Sequence, residues 1–327
     1  MSFHIFCQTF ISGCITMFIQ LFVIFLSLYH VKSADLWVFD SNGSYTSTPL
    51  KSPLGLLNSS FNVTLDTVFF AFGFNNTPST VTTIAITKAY MELKQNTDMN
   101  YVLLNWEKEA STEIAGPIIH YPTTGIYNAK RIGEALGDAL LELSNHGLDL
   151  KRVHLMGHSL GSHLVGHAGK QTKKQQKPVG RITGLDPAGP LYDSPTLLHP
   201  LRETDAIFVV GIHSDPVVYG TSENVGHVDV WLNCGMRHQP GCRENSLELC
   251  SHARAPYCYA ESINSIQAFP AAKSTSCGDW KAKKNINDED EIIYMGENID
   301  RNATGIFYLR TNSARPFGKG LDGIQYS

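Results

Sequence analysis

Val153-His-Leu-Met-Gly157-His158-Ser159-Leu160-Gly161 is a short apolar run passing directly into Gly-x-Ser-x-Gly, with small residues following at Gly166, Ala168 and Gly169. The pattern predicts a strand, a sharp turn and a helix. Such a turn holds its serine in a strained backbone conformation, and glycines at 157 and 161 leave space that side chains there would fill. Gly-x-Ser-x-Gly alone is common by chance. The strand before it and the helix after it make Ser159 the candidate nucleophile.

Outward from this turn the chain alternates. Runs at 67–72, 101–106, 152–156, 180–185 and 206–212 are apolar on both faces, as strands covered on two sides must be. Between them, 81–95 and 126–146 carry apolar residues at helical spacing: Ile132, Leu136, Leu140 and Leu143 lie on one side, Glu134, Asp138 and Glu142 around the other. Alternating strand and helix predicts a doubly wound α/β fold, a mostly parallel central sheet with helices on both faces. The 327 residues, 43% of them hydrophobic, suffice for one large core.

A serine hydroxyl attacks only when an imidazole takes its proton, and that imidazole needs a carboxylate to fix its tautomer. Two aspartates end predicted strands. Asp186 follows Arg181-Ile-Thr-Gly-Leu185 and precedes Pro187-Ala-Gly-Pro190, whereas Asp215 follows Ile207 to Ser214; Asp186 ranks first. Among histidines, His252 in Cys250-Ser-His-Ala-Arg254 ranks ahead of His213, His227 and His238. An oxyanion needs two N–H donors, one after the serine and one after an earlier strand, which points to Leu160 and to Phe74 beyond Gly73.

Thirty acidic against 26 basic residues imply no nucleic-acid partner. Four lysines and three glutamines between Lys170 and Lys177 read as a solvated loop at the far end of the helix after Ser159, pointed away from the catalytic face. The apolar stretch from Cys14 to Tyr29, with small Val31 and Ser33 before Ala34, reads as a signal peptide over 1–33, a membrane anchor being the alternative. Residues 34–327 are then the mature, secreted, extracellular catalytic domain. Sequons at Asn42, Asn58, Asn62, Asn75 and Asn302 agree with export, as do five cysteines crowded between Cys234 and Cys277. One of those five must lack an intrachain partner. No Cys-x-x-Cys knuckle suggests zinc.

Gly73-Phe74, Gly157-His-Ser-Leu-Gly161, Gly184-Leu-Asp186-Pro-Ala, Gly226-His227-Val-Asp229, Pro240-Gly-Cys242 and Cys250-Ser-His252 together resemble the pancreatic-lipase family in order and approximate spacing, over nearly all of the mature chain. The resemblance implies an α/β-hydrolase fold and a Ser159–Asp186–His252 triad needing no cofactor. It also implies a lid bounded by a Cys242–Cys250 disulfide. That lid encloses only Arg243 to Leu249, and the segment from His213 to Gly226 is short as well, which looks like venom phospholipases A1 and their secreted arthropod relatives. Leu247 and Leu249 are its apolar residues.

Several departures shape the expectation further. The family's C-terminal β-sandwich has no counterpart, so no colipase partner is expected. Its calcium-ligand region is replaced by Leu197, Pro200 and Arg202, with Asp205 retained, so no structural calcium or other metal is expected. The family's histidine before Gly73 is Phe72. Cys258 with Cys277 is the favoured second disulfide. The expected activity is sn-1 hydrolysis of phospholipid at a membrane or lipid-droplet surface. The alternatives are a triacylglycerol or galactolipid lipase and, in another class, a non-catalytic lipid-binding or yolk-type storage protein on the same fold.

Overall fold

The computed structural model describes residues 34–111, 121–193, 198–216, 218–243, 249–283, 286 and 291–326. The signal-peptide reading of 1–33 and the residues Leu197 and Leu247 lie outside them. Eleven strands of the described residues form one sheet: β1 (Asp35–Phe39), β2 (Tyr45–Pro49), β3 (Asp66–Ala71), β4 (Met99–Asn105), β5 (Val153–His158), β6 (Arg181–Leu185), β7 (Phe208–His213), β8 (Val228–Leu232), β9 (Pro270–Lys273), β10 (Ile292–Tyr294) and β11 (Gly305–Leu309). Their order is β10-β9-β11-β8-β7-β6-β5-β3-β4-β1-β2. The seven central strands from β4 to β11 pair in parallel, while β1, β2, β9 and β10 close the two edges with antiparallel partners.

Among the described residues six helices accompany the sheet: α1 (Val81–Lys94), α2 (Glu107–Ala110), α3 (Ile126–Ser144), α4 (Leu160–Lys174), α5 (Arg254–Asn264) and α6 (Cys277–Ala282). The alternation read from the sequence is therefore the observed one. Strands β5, β6 and β7 are buried along their whole length, which is why their sequences show no polar face. In α3, Ile132, Leu136, Leu140 and Leu143 are buried as the 3.6-residue period requires. Burying each such side chain contributes roughly 1.5–3 kcal/mol.

In a parallel sheet every strand delivers its C-terminal end to the same edge, and ligand-handling side chains collect in the crevice there. Residues just beyond β3, β5, β6 and β7 (Gly73-Phe74, Ser159, Asp186 and Ser214-Asp215) are thus brought to one edge although up to 142 positions of chain separate them. Helix α4 then runs away from that edge for 15 residues, roughly 22 Å at 1.5 Å per residue. Its lysine-rich end is far from Ser159. There Lys173 donates to the Thr204 carbonyl and Lys177 to the Ser144 hydroxyl and Asn145 amide oxygen.

Candidate active site

Ser159 stands between the last residue of β5 and the first of α4, with φ 56° and ψ −126°. A non-glycine residue in that region costs on the order of 1–3 kcal/mol and persists only where its surroundings hold it. Here the Ser159 N–H donates to the Leu185 carbonyl at 3.0 Å, and the Ser159 carbonyl accepts from the Ala188 N–H at 3.3 Å. Both glycines of the motif are sterically required. A Cβ on Gly157 would stand 2.2 Å from the Gly161 carbonyl oxygen, and one on Gly161 would stand 2.3 Å from the Ala71 oxygen.

Asp186, beyond β6, is also held at positive φ, 44°, and is fully buried. Its Oδ2 lies 2.5 Å from His252 Nδ1, and its Oδ1 accepts from the N–H groups of Ser214 at 2.7 Å and Asp215 at 3.0 Å. Burial alone would raise this carboxyl, but the bonds from His252 and the two N–H groups outweigh it and hold the group below its ordinary value. It is an anion at neutral pH. The His252 side chain is itself buried, and its ring is 4.7 Å, centroid to centroid, from that of His158, the residue before Ser159. The structure therefore brings Ser159, Asp186 and His252 to one place.

Asp215 is brought near but not into that contact. It offers its N–H to Asp186, and the His252 imidazole bonds to Asp186. The Asp215 side chain, in a residue only 2% exposed, leaves Oδ1 without a hydrogen-bond partner among the described residues. Burial first, then the Asp186 charge, pushes its carboxyl up to about 6. The remaining histidines have other tasks. His213 Nε2 bonds Asp229 at 2.7 Å with its ring stacked on Trp231, and His227 Nδ1 accepts from the Val209 N–H, while His238 is half-buried just before Gln239.

Gly73 and Phe74 follow β3 against the elbow, where a Cβ on Gly73 would meet Ser159 Cβ at 2.8 Å. Phe72, which stands where the family has a histidine, brings no imidazole to brace this loop, and other groups do so. The Trp106 indole N–H donates to the Phe72 carbonyl at 3.0 Å, the two rings stack, and the Asn75 N–H donates to the Ala110 carbonyl at 2.8 Å. The loop is held without an imidazole. The Phe74 N–H has no backbone acceptor among the described residues, and Leu160 heads α4, where first-turn N–H groups have no partner inside the helix.

A disulfide joins Cys242 to Cys250, eight residues apart. Leu249 at its foot is 52% exposed. The expectation of a Cys258–Cys277 bridge is wrong: Cys277, which opens the short helix α6, pairs with Cys234, and Cys258 is the unpaired thiol. Helical phase explains this, since Cys258 shares the buried face of α5 with Ala255 and Tyr259 and points into the core. Burial raises its thiol further above the ordinary range. All five sequon asparagines are exposed.

The residue retained from the family's calcium region, Asp205, is engaged by a cation of the chain itself. Its Oδ2 receives Lys170 Nζ at 2.5 Å and the Arg202 N–H at 2.9 Å, and Lys170 also donates to the Pro200 carbonyl. A divalent ion at this carboxylate would have to displace the ammonium, so the residues present do not fit one. No group of three His, Cys, Asp or Glu among the described residues is arranged to hold a metal.

Two residues that sequence reasoning passed over belong to this site. His158 Nε2 donates to the His252 carbonyl at 3.3 Å, and burial followed by the nearby His252 charge lowers its imidazole to about 3, so it stays neutral. Gln239 reaches the segments carrying both the acid and the base. His158 lies inside the quoted motif but at its unspecified position, and Gln239 immediately precedes the quoted Pro240-Gly-Cys242, so neither showed as a polar group with a task.

A mostly parallel doubly wound sheet with a serine elbow after β5 is the α/β-hydrolase fold. The chain belongs to the Lipase family, whose model matches residues 36–317. Among its relatives, "Lipase member H" of Danio rerio is 30% identical over 280 residues, covering 80% of this chain and 58% of that protein. "Phospholipase A1" of Vespula vulgaris is 34% identical over 224 residues, 65% of this chain and 64% of that one. "Vitellogenin-3" of Drosophila melanogaster is 32% identical over 210 residues, 63% and 49% respectively. The chain thus spans roughly half to two-thirds of the length of these relatives. Among solved structures, the carboxylesterase EstE1 from a metagenomic library shares 17% identity at a TM-score of 0.27, covering 48% of this chain and 47% of its own.

Proposed function

We propose that the chain is a secreted serine ester hydrolase that releases the sn-1 fatty acid of phospholipids through an acyl-enzyme. The observation that carries the reading is the buried Asp186 carboxylate bonded to His252 Nδ1 beside a serine held at φ 56° on the elbow. With Nδ1–H committed to Asp186, His252 Nε2 is the free base. It takes the Ser159 proton as Oγ attacks the ester carbonyl, and the Asp186 charge stabilises the imidazolium that results. The N–H groups of Phe74 and Leu160 receive the oxyanion. Proton return from His252 expels the lysolipid alcohol, and water activated by the same imidazole then releases the fatty acid.

The phospholipid preference is supported by the small loop enclosed by Cys242 and Cys250, which leaves little lid to cover a polar head group, and by similarity to a wasp protein named as a phospholipase A1. Residues 1–33 are the signal peptide and 34–327 the catalytic domain in this reading. The five exposed sequon asparagines carry glycans, and the substrate is met at a membrane or droplet surface. Similarity to a vitellogenin keeps the non-catalytic alternative specific. Fatty-acid release by wild-type and Ser159→Ala protein from phosphatidylcholine, phosphatidylserine and triolein separates the readings. Serine-dependent release of sn-1 acid from phospholipid alone is expected. Triolein cleavage would make the chain a triglyceride lipase, and release from none would favour the carrier.

A further inference from the structure

In the site as described, one bond joins the acid to the base directly. A second route joins them through a residue that touches neither. Asp186 Oδ1 accepts from Ser214 N–H at 2.7 Å, and the Ser214 carbonyl accepts from Gln239 Nε2 at 2.9 Å. The Gln239 backbone N–H donates to Ser251 Oγ at 3.0 Å, and Ser251 is peptide-bonded to His252, whose Nδ1 returns to Asp186. The bonds close a ring with Gln239 opposite the Asp186–His252 contact.

Gln239 is 1% exposed, and its side-chain N–H groups are fully used. Nε2 also donates to the Leu232 carbonyl at 3.0 Å and the Met236 carbonyl at 3.3 Å, while Oε1 accepts from Asn233 Nδ2 at 2.7 Å. Asn233 in turn is bonded in both directions to Thr311, beyond β11. Gln239 therefore ties the ends of β7 and β8 together through its side-chain amide, reaches the end of β11 through Asn233, and holds the segment carrying His252 through its backbone N–H. Methionine has the length but no polar atoms, and glutamate has no hydrogens for the carbonyls. Leaving buried carbonyls unmatched costs about 1–3 kcal/mol each, so the ring is relieved by movement of the segments it joins.

We infer that Gln239 is a positioning residue for the reaction: it sets the separation of the acid-bearing and base-bearing segments through Ser214 and Ser251, without contacting substrate. The inference rests on the triad reading proposed above. Because Gln239 lies three residues before Cys242, the same amide anchors the root of the lid disulfide to the frame of the triad.

The test uses Gln239→Met and, as a milder variant that leaves the side-chain amide in place, Ser251→Ala. For each, kcat and KM on a soluble short-chain ester, the rate of covalent labelling of Ser159 by an alkyl fluorophosphonate from pH 5 to 9, and Tm are measured. Gln239→Met is expected to lower kcat per folded enzyme by about 30-fold or more with KM changed less than twofold. It is also expected to slow the labelling of Ser159 across that range, because a looser Asp186 contact leaves the His252 imidazole out of place beside Ser159. Ser251→Ala is expected to shift both in the same direction by a smaller factor, and it carries the test if Gln239→Met does not fold. A lowered Tm with kcat per folded enzyme and the labelling rate unchanged would overturn the inference and leave Gln239 merely structural. Wild-type protein that the phosphonate does not label at Ser159 would overturn the triad reading itself and the inference with it, whereas labelled protein inactive on every lipid would overturn only the substrate assignment.

Discussion

Replacing Asp186 by asparagine separates the two aspartates that end neighbouring strands. An asparagine oxygen at this position accepts from the Ser214 and Asp215 N–H groups as Asp186 Oδ1 does, which turns its NH2 toward His252 Nδ1. A donor facing Nδ1 forces that nitrogen to accept, places the proton on Nε2, and removes the base that Ser159 needs. The charge lost is that of a buried carboxylate in direct contact with the imidazolium, roughly 4 kcal/mol for charges 4 Å apart at an effective dielectric of 20. The tautomer penalty adds to it, so kcat should fall about 10³- to 10⁴-fold, on the order of 4–5.5 kcal/mol in the barrier. Asp215→Asn should lower kcat less than about threefold, because Asp215 touches His252 only by way of Asp186. The assay is turnover of a soluble ester per folded molecule, with circular dichroism as the check on folding. Asp186→Asn retaining more than a tenth of wild-type kcat, or Asp215→Asn losing more than Asp186→Asn, would refute the assignment.

Asp215 also predicts a pH effect on stability. Its folded value of about 6 lies above an unfolded value near 3.9, so the native state binds the proton more tightly, and stability from this group is lost as pH rises between about 4 and 6. Asp215→Asn lacks that loss. Its Tm advantage over wild type should therefore grow through this window and level off above pH 6, and a difference that does not vary with pH would contradict the buried carboxyl. For Cys258, titration with a thiol reagent should find no reactive group in the native protein and one after unfolding without reductant, since the other four cysteines of 34–327 are bridged. Prompt labelling of the native protein would mean that α5 does not bury that face.

The sheet was legible because its central strands are buried on both faces and its helices on one, so period and composition reveal each without knowledge of its neighbours. Less legible were β8 and β11, five residues each, one interrupted by the buried Asp229. Among site residues, Ser159 announced itself through local geometry, because two glycines and a strand-to-helix turn are properties of contiguous chain. Ranking Asp186 over Asp215 was weaker. Both end strands of the same sheet, and the choice depends on which carboxylate the loop carrying His252 descends upon, 37 residues beyond Asp215.

What the sequence by itself determined were features whose physics is local: the alternation of strand and helix, and the elbow with its strained serine; the Cys242–Cys250 loop came only with the family resemblance. What only the tertiary structure decided were pairings across the chain. Cys277 joins Cys234 because the phase of α5 turns Cys258 inward, Trp106 braces the Gly73-Phe74 loop because β4 ends beside β3, and Gln239 closes the ring that contains the Asp186–His252 contact because β7, β8 and β11 deliver their ends together. A hydrogen bond or disulfide requires atoms within a few ångströms, and sequence separation says nothing of that distance until the sheet order is known.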